Sequence, residues 1–330
     1  MDQTPPPPPM PARDPRGHKG SFGAVAVVGG CALVSAGQRA GADEPPPPRM
    51  LGGACLAARA ALRAGAGLAR LVLPDRLAEH ALTILPSATA LPIPTDHDGD
   101  LIPHAAAAVL DAARTDAAAL AVGPALGQSP GADAVVLRAI AQDSRPLVLD
   151  ADGLNALARL PEPQRDFRAP AVLTPHPGEY KRLAAALGID ADPTDPSAAP
   201  DAARRLAERL GCVVVLKSAV TVVATTEHAW SHDEPNPALA TAGTGDVLAG
   251  ALASLAAQFY KPHIPMGSFT VPSEKRGGVS LFDIARLGVV LHGRAGRLWC
   301  ERRGGASSGL LAEELADLLP EARAALEPRA

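Results

Sequence analysis

The chain has 330 residues, 47% of them apolar and only 3% aromatic, with a formal net charge of −4. That length and apolar content support a sizeable core of alanine, leucine and valine, while the scarcity of aromatics and the lack of a basic stripe argue against a DNA or RNA binder. Cys31, Cys55, Cys212 and Cys300 stand far apart with no CxxC pair, which argues against a zinc or disulfide framework and predicts a reducing, cytoplasmic setting.

The opening stretch "MDQTPPPPPMPARDPRGHKG" has no apolar run of the kind a signal peptide needs. Its Pro5–Pro9 tract cannot join a helix or sheet interior, so residues 1–16 read as a flexible arm ahead of a single domain over 17–330. A strand follows at Ala24–Val28, then a polar surface insert at about 33–49 that holds Pro45–Pro48, then a helix over Gly53–Ala64 and a strand over Ala69–Leu73. The apolar region Leu51–Leu73 is interrupted by Arg59, Arg63 and Arg70, which a membrane span would not tolerate at its centre. Next come a strand at Ala118–Val122, a helix at Asp133–Gln142, strands at Leu147–Leu149 and Ala171–Leu173, and helices at Gly178–Leu187 and Pro200–Leu210. Strands at Val213–Leu216 and Val220–Ala224 precede a helix at Val247–Gln258, an irregular insert at about 259–280, and helices at Leu281–Cys300 and Ala312–Ala325. Continuous apolar strands alternating with helices predict an α/β fold with a mostly parallel sheet covered on both faces. In such sheets ligands bind beyond the carboxyl ends of the strands.

Several strands end in polar or glycine-rich turns: Gly29–Gly30, Gly123, Asp150 and Asp152, Thr174–Glu179, and Lys217 leading to Thr221. Taken singly, each has a plain reading as a turn, a helix cap or a surface loop. "NPALATAGTGDVLAG" (236–250) raises a sharper question, because Gly243, Thr244 and Gly245 directly precede Asp246 at a helix start. Asp246 is a good cap residue. Yet the flanking glycines expose backbone N–H groups that, with the helix dipole, make an anion hole at Gly243–Gly245 suited to phosphate. No GxxxxGKS/T stretch occurs, so this is not a P-loop. A carboxylate beside an anion hole makes chemical sense as a general base that deprotonates a hydroxyl attacking a phosphoryl group.

In order along the chain, "HKGSFG", "GGACLAARAALRAGAGL", "VGPALG", "VLDADGLNAL", "LTPHPGEY", "VLKSAVTVV", "NPALATAGTGDVLAG", "LHGRAG" and "GLLAEELADLLP" cover most of residues 17–325. Together they resemble the ADP-dependent (S)-NAD(P)H-hydrate dehydratase family. GTGD alone is shared with other ribokinase-like kinases; it is the ordered set that is specific. The resemblance implies a ribokinase-like three-layer sandwich with helices on both faces of a mostly parallel sheet. It also implies repair of NADH or NADPH whose nicotinamide ring has taken up water. Bacterial members use ADP and release AMP and phosphate; eukaryotic members generally use ATP. Hydroxide is a poor leaving group and phosphate a good one, so phosphorylating the ring hydroxyl lets the ring nitrogen expel it.

Carried over residue by residue, the resemblance makes Asp246 the base and a substrate contact. It puts Ala54, Ala125 and His176 against the hydrated dinucleotide. Lys217, Ser218, Ala219, Val220, Thr221 and Gly245 would bind the nucleotide, and Glu179 would belong to a magnesium–phosphate network. Asp150 and Asp152 are placed to shape the site. Mg2+, ADP as phosphoryl donor, a homo-oligomer (a tetramer in the family) and a separate epimerase as functional partner are implied as well. Three departures stand out: Ala125 where the family has glycine, Ser218 in place of glycine after Lys217, and Thr241–Ala242 in place of Lys–Gly. The Ala125 methyl would crowd the dinucleotide or bar a positive φ. A small-molecule kinase of the same fold, and an inactive nucleotide-binding protein, are the competing readings.

Overall fold

The computed structural model describes residues 5–33, 49–261 and 277–328 in full, and the backbone of 264–266 and 269–271. Nine strands form one sheet: β1 (Ala24–Val28), β2 (Leu68–Pro74), β3 (Thr89–Ile93), β4 (Ala119–Val122), β5 (Leu147–Leu149), β6 (Ala171–Leu173), β7 (Val213–Leu216), β8 (Thr221–Ala224) and β9 (Ala229–His232). Their order is β3-β2-β1-β4-β5-β6-β7-β8-β9. All pairings from β3 to β7 are parallel, and β8 and β9 add antiparallel.

The strands are short valine-, leucine- and alanine-rich runs buried on both sides. Val25 and Val27 of β1 face one core while Ala26 and Val28 face the other. Helices α3 (Pro103–Asp116), α4 (Pro130–Ile140), α5 (Asp152–Arg159), α6 (Pro177–Leu187) and α7 (Ala199–Leu210) cover the Val28 side. Helices α1 (Gly52–Arg63), α8 (Thr244–Phe259) and α9 (Leu281–Arg302) cover the Val27 side, and α10 (Ala312–Ala324) packs outside them. The near-absence of aromatics is what lets these layers sit close: a Cβ on Gly250 of α8 would fall 2.0 Å from the Ala57 carbonyl oxygen of α1.

The three-layer α/β architecture is as predicted, with boundaries shifted by a residue or a few. Helices α2 (Ala78–Ile84) and α3 and strands β3 and β9 were not anticipated, and α5 only as the helix that Asp150 or Asp152 would cap. Part of the arm expected over residues 1–16 lies against the domain. Met10 is fully buried among α8, α9 and α10, its N–H donates to the Leu326 carbonyl at 3.3 Å, and Arg286 donates to the Pro5 carbonyl. Arg13 lies 3.6 Å above the Phe22 ring. A polyproline segment needs no ladder of its own, so one buried methionine suffices to pin it. Pro45–Pro48 lies outside the described residues. Within the 259–280 insert, β10 (Ile264–Met266) and β11 (Phe269–Val271) pair antiparallel.

From β1 the chain winds outward to β2 and β3, then returns to β4 on the other side of β1. The crevice beyond the carboxyl ends of β1 and β4 is therefore the switch point where doubly wound sheets bind ligands.

Candidate active site

Helix α8 starts at Thr244, and its N-cap is Gly243 at φ 88°, a left-handed conformation that favours glycine. Asp246 is therefore the third residue of the helix, not its cap, and no side chain caps this end. The Thr244 hydroxyl is turned away from the opening: it donates to the carbonyls of Leu239 and Thr241, both at 2.8 Å. Among the described residues the N–H groups of Gly245 and Asp246 have no acceptor. An anion at this helix start would meet backbone N–H groups only, with Thr244 contributing no hydroxyl.

A lysine converges on the same point. Lys217, at the end of β7, has its Nζ 3.4 Å from where a Cβ on Gly245 would lie. It donates to Asp150 Oδ1 at 2.7 Å and stands 4.0 Å from Glu179 Oε2. Asp150, only 1% exposed at the end of β5, also accepts from the Thr174 hydroxyl at 2.6 Å. Burial works against the charge on Lys217, but Asp150, Glu179 and Asp246 outweigh it and hold its pKa above the usual value. Glu179 is buried, which raises its pKa although Lys217 pulls it down. Its Oε2 accepts the His176 N–H at 2.8 Å, and His176 Nδ1 accepts from the N–H groups of Gly178 and Glu179, a reciprocal cap for α6. His176 itself is exposed, and burial with Lys217 and Arg182 nearby lowers its pKa. Among the described residues no cluster of three or more His, Cys, Asp or Glu side chains forms a metal cage.

The Asp246 carboxylate points to the other side of the helix start, where a Cβ on Gly53 of α1 would lie 3.0 Å from Oδ2. It accepts no hydrogen bond among the described residues. Burial and the neighbouring Asp150 push its pKa up to about 7, with Lys217 opposing and Asp152 and Glu179 adding. Ala54, beside Gly53, is fully buried and presents no surface; Gly53 is the residue that faces the carboxylate. Ala125 lies in the turn after β4, half-buried, at φ 57°. Its methyl therefore does not bar the left-handed conformation; alanine adopts it with strain.

On the Lys217 side lies a cleft of about 730 Å³. Lys217, Ser218, Ala219, Thr221 and Gly245 line it, as do His176 and Thr244; Val220 does not. Its inner wall is apolar, from Leu239, Leu248 and Val289, and includes His292 of α9. His292 Nε2–H donates to the Thr244 carbonyl at 2.9 Å, and burial pushes the ring pKa down to about 4, so the ring is neutral. Reasoning from sequence missed these wall residues, although "LHGRAG" had singled out the His292 stretch.

The doubly wound sheet, with an open helix start, a lysine and an unpartnered carboxylate at its strand ends, has the ribokinase-like fold. A ribokinase-like superfamily protein from Enterococcus faecalis shares the fold, with a TM-score of 0.67 at 22% identity over 97% of this chain and 93% of that one. The family model described as Carb_kinase, NAD(P)H-hydrate dehydratase, matches residues 48–321, and the chain belongs to that family. The bifunctional NAD(P)H-hydrate repair enzyme Nnr of Salinibacter ruber is 41% identical over 76% of this chain, which spans only 43% of that relative. The ADP-dependent (S)-NAD(P)H-hydrate dehydratase of Xanthomonas campestris pv. campestris is 33% identical over 94% of this chain and 91% of its own length. The ADP/ATP-dependent NAD(P)H-hydrate dehydratase of Bacillus subtilis, co-crystallized with ATP/Mg2+, superposes with a TM-score of 0.68 at 27% identity, covering 97% of this chain and 95% of that one. The chain spans about half the length of the bifunctional relatives it matches.

Proposed function

We propose that this protein dehydrates the S epimer of hydrated NADH and NADPH, using ADP and releasing AMP and phosphate. The observation that carries the reading is the position of Asp246: a carboxylate with free lone pairs and a pKa of about 7, between the Lys217 cleft and the switch-point crevice. A base poised near working pH is what general-base catalysis asks for. In this reading the nucleotide lies in the cleft, its terminal phosphate at Lys217 and the N–H groups of Gly245 and Asp246. Lys217 to Thr221 and Gly245 form its binding segment, with Val220 contributing through the backbone fold of the turn. The hydrated ring lies over Gly53 and the turn that carries Ala125, with His176 at its flank and Ala54 supporting Gly53 from beneath.

Asp246 takes the proton of the ring hydroxyl as its oxygen attacks the β-phosphorus of ADP. The P–O bond to AMP breaks and a ring phosphate ester forms. The ring nitrogen lone pair then expels phosphate, the neighbouring carbon gives its proton to the departing phosphate, and the double bond returns. Neutral His292 keeps the Thr244 end of the helix in place. Magnesium suits the hard-oxygen donors Glu179 and Asp150 beside Lys217, since Mg2+ is usually held by one or two carboxylates together with substrate phosphates; when bound it would neutralise charge on the phosphates.

A cytoplasmic homo-oligomer, tetrameric as in the family and served by a separate epimerase, completes the proposal. The test is direct: incubate the protein with hydrated NADH, ADP and magnesium and follow the absorbance of reformed NADH. Return of NADH from the S epimer, faster with ADP than with ATP, supports the assignment. Absence of NADH with phosphate transfer to a simple alcohol would favour the kinase reading instead.

A further inference from the structure

The resemblance gives Asp152 only a general part in shaping the site, and its geometry is unusual. It opens α5, where an aspartate ordinarily serves its own helix start, yet the N-cap is Ala151 and no side chain caps that end. Instead the carboxylate reaches across to the turn after β4. Oδ2 accepts the Gly127 N–H at 2.9 Å, and Oδ1 accepts the Asn155 side-chain amide at 3.2 Å. Asn155 Oδ1 in turn accepts Arg182 Nε at 2.8 Å, on α6. One end of this chain of bonds holds the turn that carries Ala125; the other holds the helix capped by His176.

Backbone strain sits at both places that define the turn. Ala151 is at φ 50°, ψ −121°, and Ala125 at φ 57°. Non-glycine residues persist in such conformations only where their surroundings over-determine them. Gly123 and Gly127 are left-handed as well, at φ 118° and 77°. Apart from the Leu126 N–H bond to the Gly123 carbonyl at 3.0 Å, the turn has little internal support. The turn is tied to β1 through Gly30 N–H on the Pro124 carbonyl and Gly123 N–H on the Val28 carbonyl, and the Asp152 bond adds a tie from α5 two residues beyond the strained alanine.

We infer that Asp152, through Asn155 and Arg182, is a positioning residue that fixes the Ala125 turn relative to the His176 helix and so sets the width of the pocket for the dinucleotide. The inference rests on the dehydratase reading for the identity of that ligand, but the frame itself does not. Asp150, two residues earlier, serves the opposite side through Lys217, so the two carboxylates on either side of strained Ala151 divide the site between them.

The test uses the full chain with Asp152→Ala, Asp152→Asn and Asn155→Ala. Amide hydrogen exchange at Gly127, without any ligand, should accelerate about tenfold in Asp152→Ala, the loss of one charge-assisted bond. It should stay near the wild-type rate in Asp152→Asn, whose amide oxygen still accepts. In turnover, Asp152→Ala should raise KM for hydrated NADH about tenfold, leaving ADP affinity by calorimetry unchanged. Asp152→Asn keeps an acceptor for Gly127 but sets its amide N–H group against that of Asn155, so it and Asn155→Ala should both fall between. Unchanged Gly127 exchange in Asp152→Ala would overturn the frame, as would equal losses of dinucleotide and ADP affinity. Wild-type protein that binds ADP but never reforms NADH would count against the dehydratase assignment alone, because the exchange measurement judges the frame independently.

Discussion

Replacing Asp246 with asparagine separates the carboxylate's chemistry from its shape, and the structure gives a sign for stability as well as for rate. Its pKa stands at about 7 against an ordinary 3.8, raised first by burial and then by Asp150. A carboxyl that holds its proton more tightly folded than unfolded makes the folded state weaker as pH rises from about 4 to about 7, and the loss is complete above that. Each pH unit of displacement corresponds to about 1.4 kcal/mol, so charging Asp246 in place costs at most about 4 kcal/mol. Because Asp246 is only partly buried, solvent screening brings this to about 1–2 kcal/mol. Asp246→Asn should therefore be more stable than wild type at about pH 8 by that amount and equal to it near pH 4. The same change should lower turnover of hydrated NADH by at least about a hundredfold, while ADP binding holds or tightens. Urea unfolding at both pH values, turnover and calorimetry on one preparation decide the matter. The wild-type rate should also rise with pH through about 7. Near-wild-type turnover in the variant would remove the base; a stability gain equal at both pH values would refute the electrostatic reasoning.

Three further outcomes follow from the same geometry. Ala125→Gly should relieve left-handed strain and raise stability by a few tenths to about 1 kcal/mol, since relief of about 1–2 kcal/mol exceeds the added chain entropy; a loss in urea unfolding would show the turn is unstrained. Lys217→Met should cost about 3 kcal/mol, because it leaves the Asp150 charge buried without its cation. Adding Asp150→Asn should recover most of that stability in thermal unfolding but none of the ADP affinity; recovery of both would remove Lys217 from the phosphate site. Met10→Ala should cost about 2–4 kcal/mol, whereas a change below about 0.5 kcal/mol would return residues 5–13 to a loose arm.

What the sequence reveals follows from how locally each feature is determined. The valine- and leucine-rich strands could be read because burial on both faces leaves an unbroken apolar run. Strand β3 escaped notice because it lies at the sheet edge, half-exposed, with Pro92 inside "TALPI". Helix α3 did so because "HAAAAVLDAARTD" buries mainly alanines, Ala106 and Ala113 beside Leu110, and alanine gives little contrast between faces. Met10 joins a cluster built mostly from α8, α9 and α10, which lie more than two hundred residues downstream, with Ala60 and Ala64 of α1. The same division runs through the site. Gly243 to Asp246 is contiguous and announced itself. The Lys217–Asp150 bond spans 67 positions and the Thr174–Asp150 bond 24, so neither pattern nor period reveals them. Nor could spacing tell that Thr244 would turn its hydroxyl into the backbone, or that Ala54 would be sealed behind Gly53.

The departures from the family pattern gain a physical meaning once they are located. Ala125 lies in the turn after β4, Ser218 in the turn between β7 and β8, and Ala242 just outside α8. All three line loops, where they bear on how well ligands are held. The groups that determine the kind of reaction are carried differently. The free N–H groups and the Asp246 carboxylate belong to the first turn of one helix, α8, which is buried along most of its length against α1 and the sheet. In the proposed reaction, a single rigid element that presents its N–H groups to the cleft and its carboxylate to the crevice would bring the phosphoryl donor and the hydroxyl to be activated to a fixed point whatever the loops contain. Lost loop contacts are therefore expected in the Michaelis constants, and the chemistry is expected to survive them until α8 itself is disturbed.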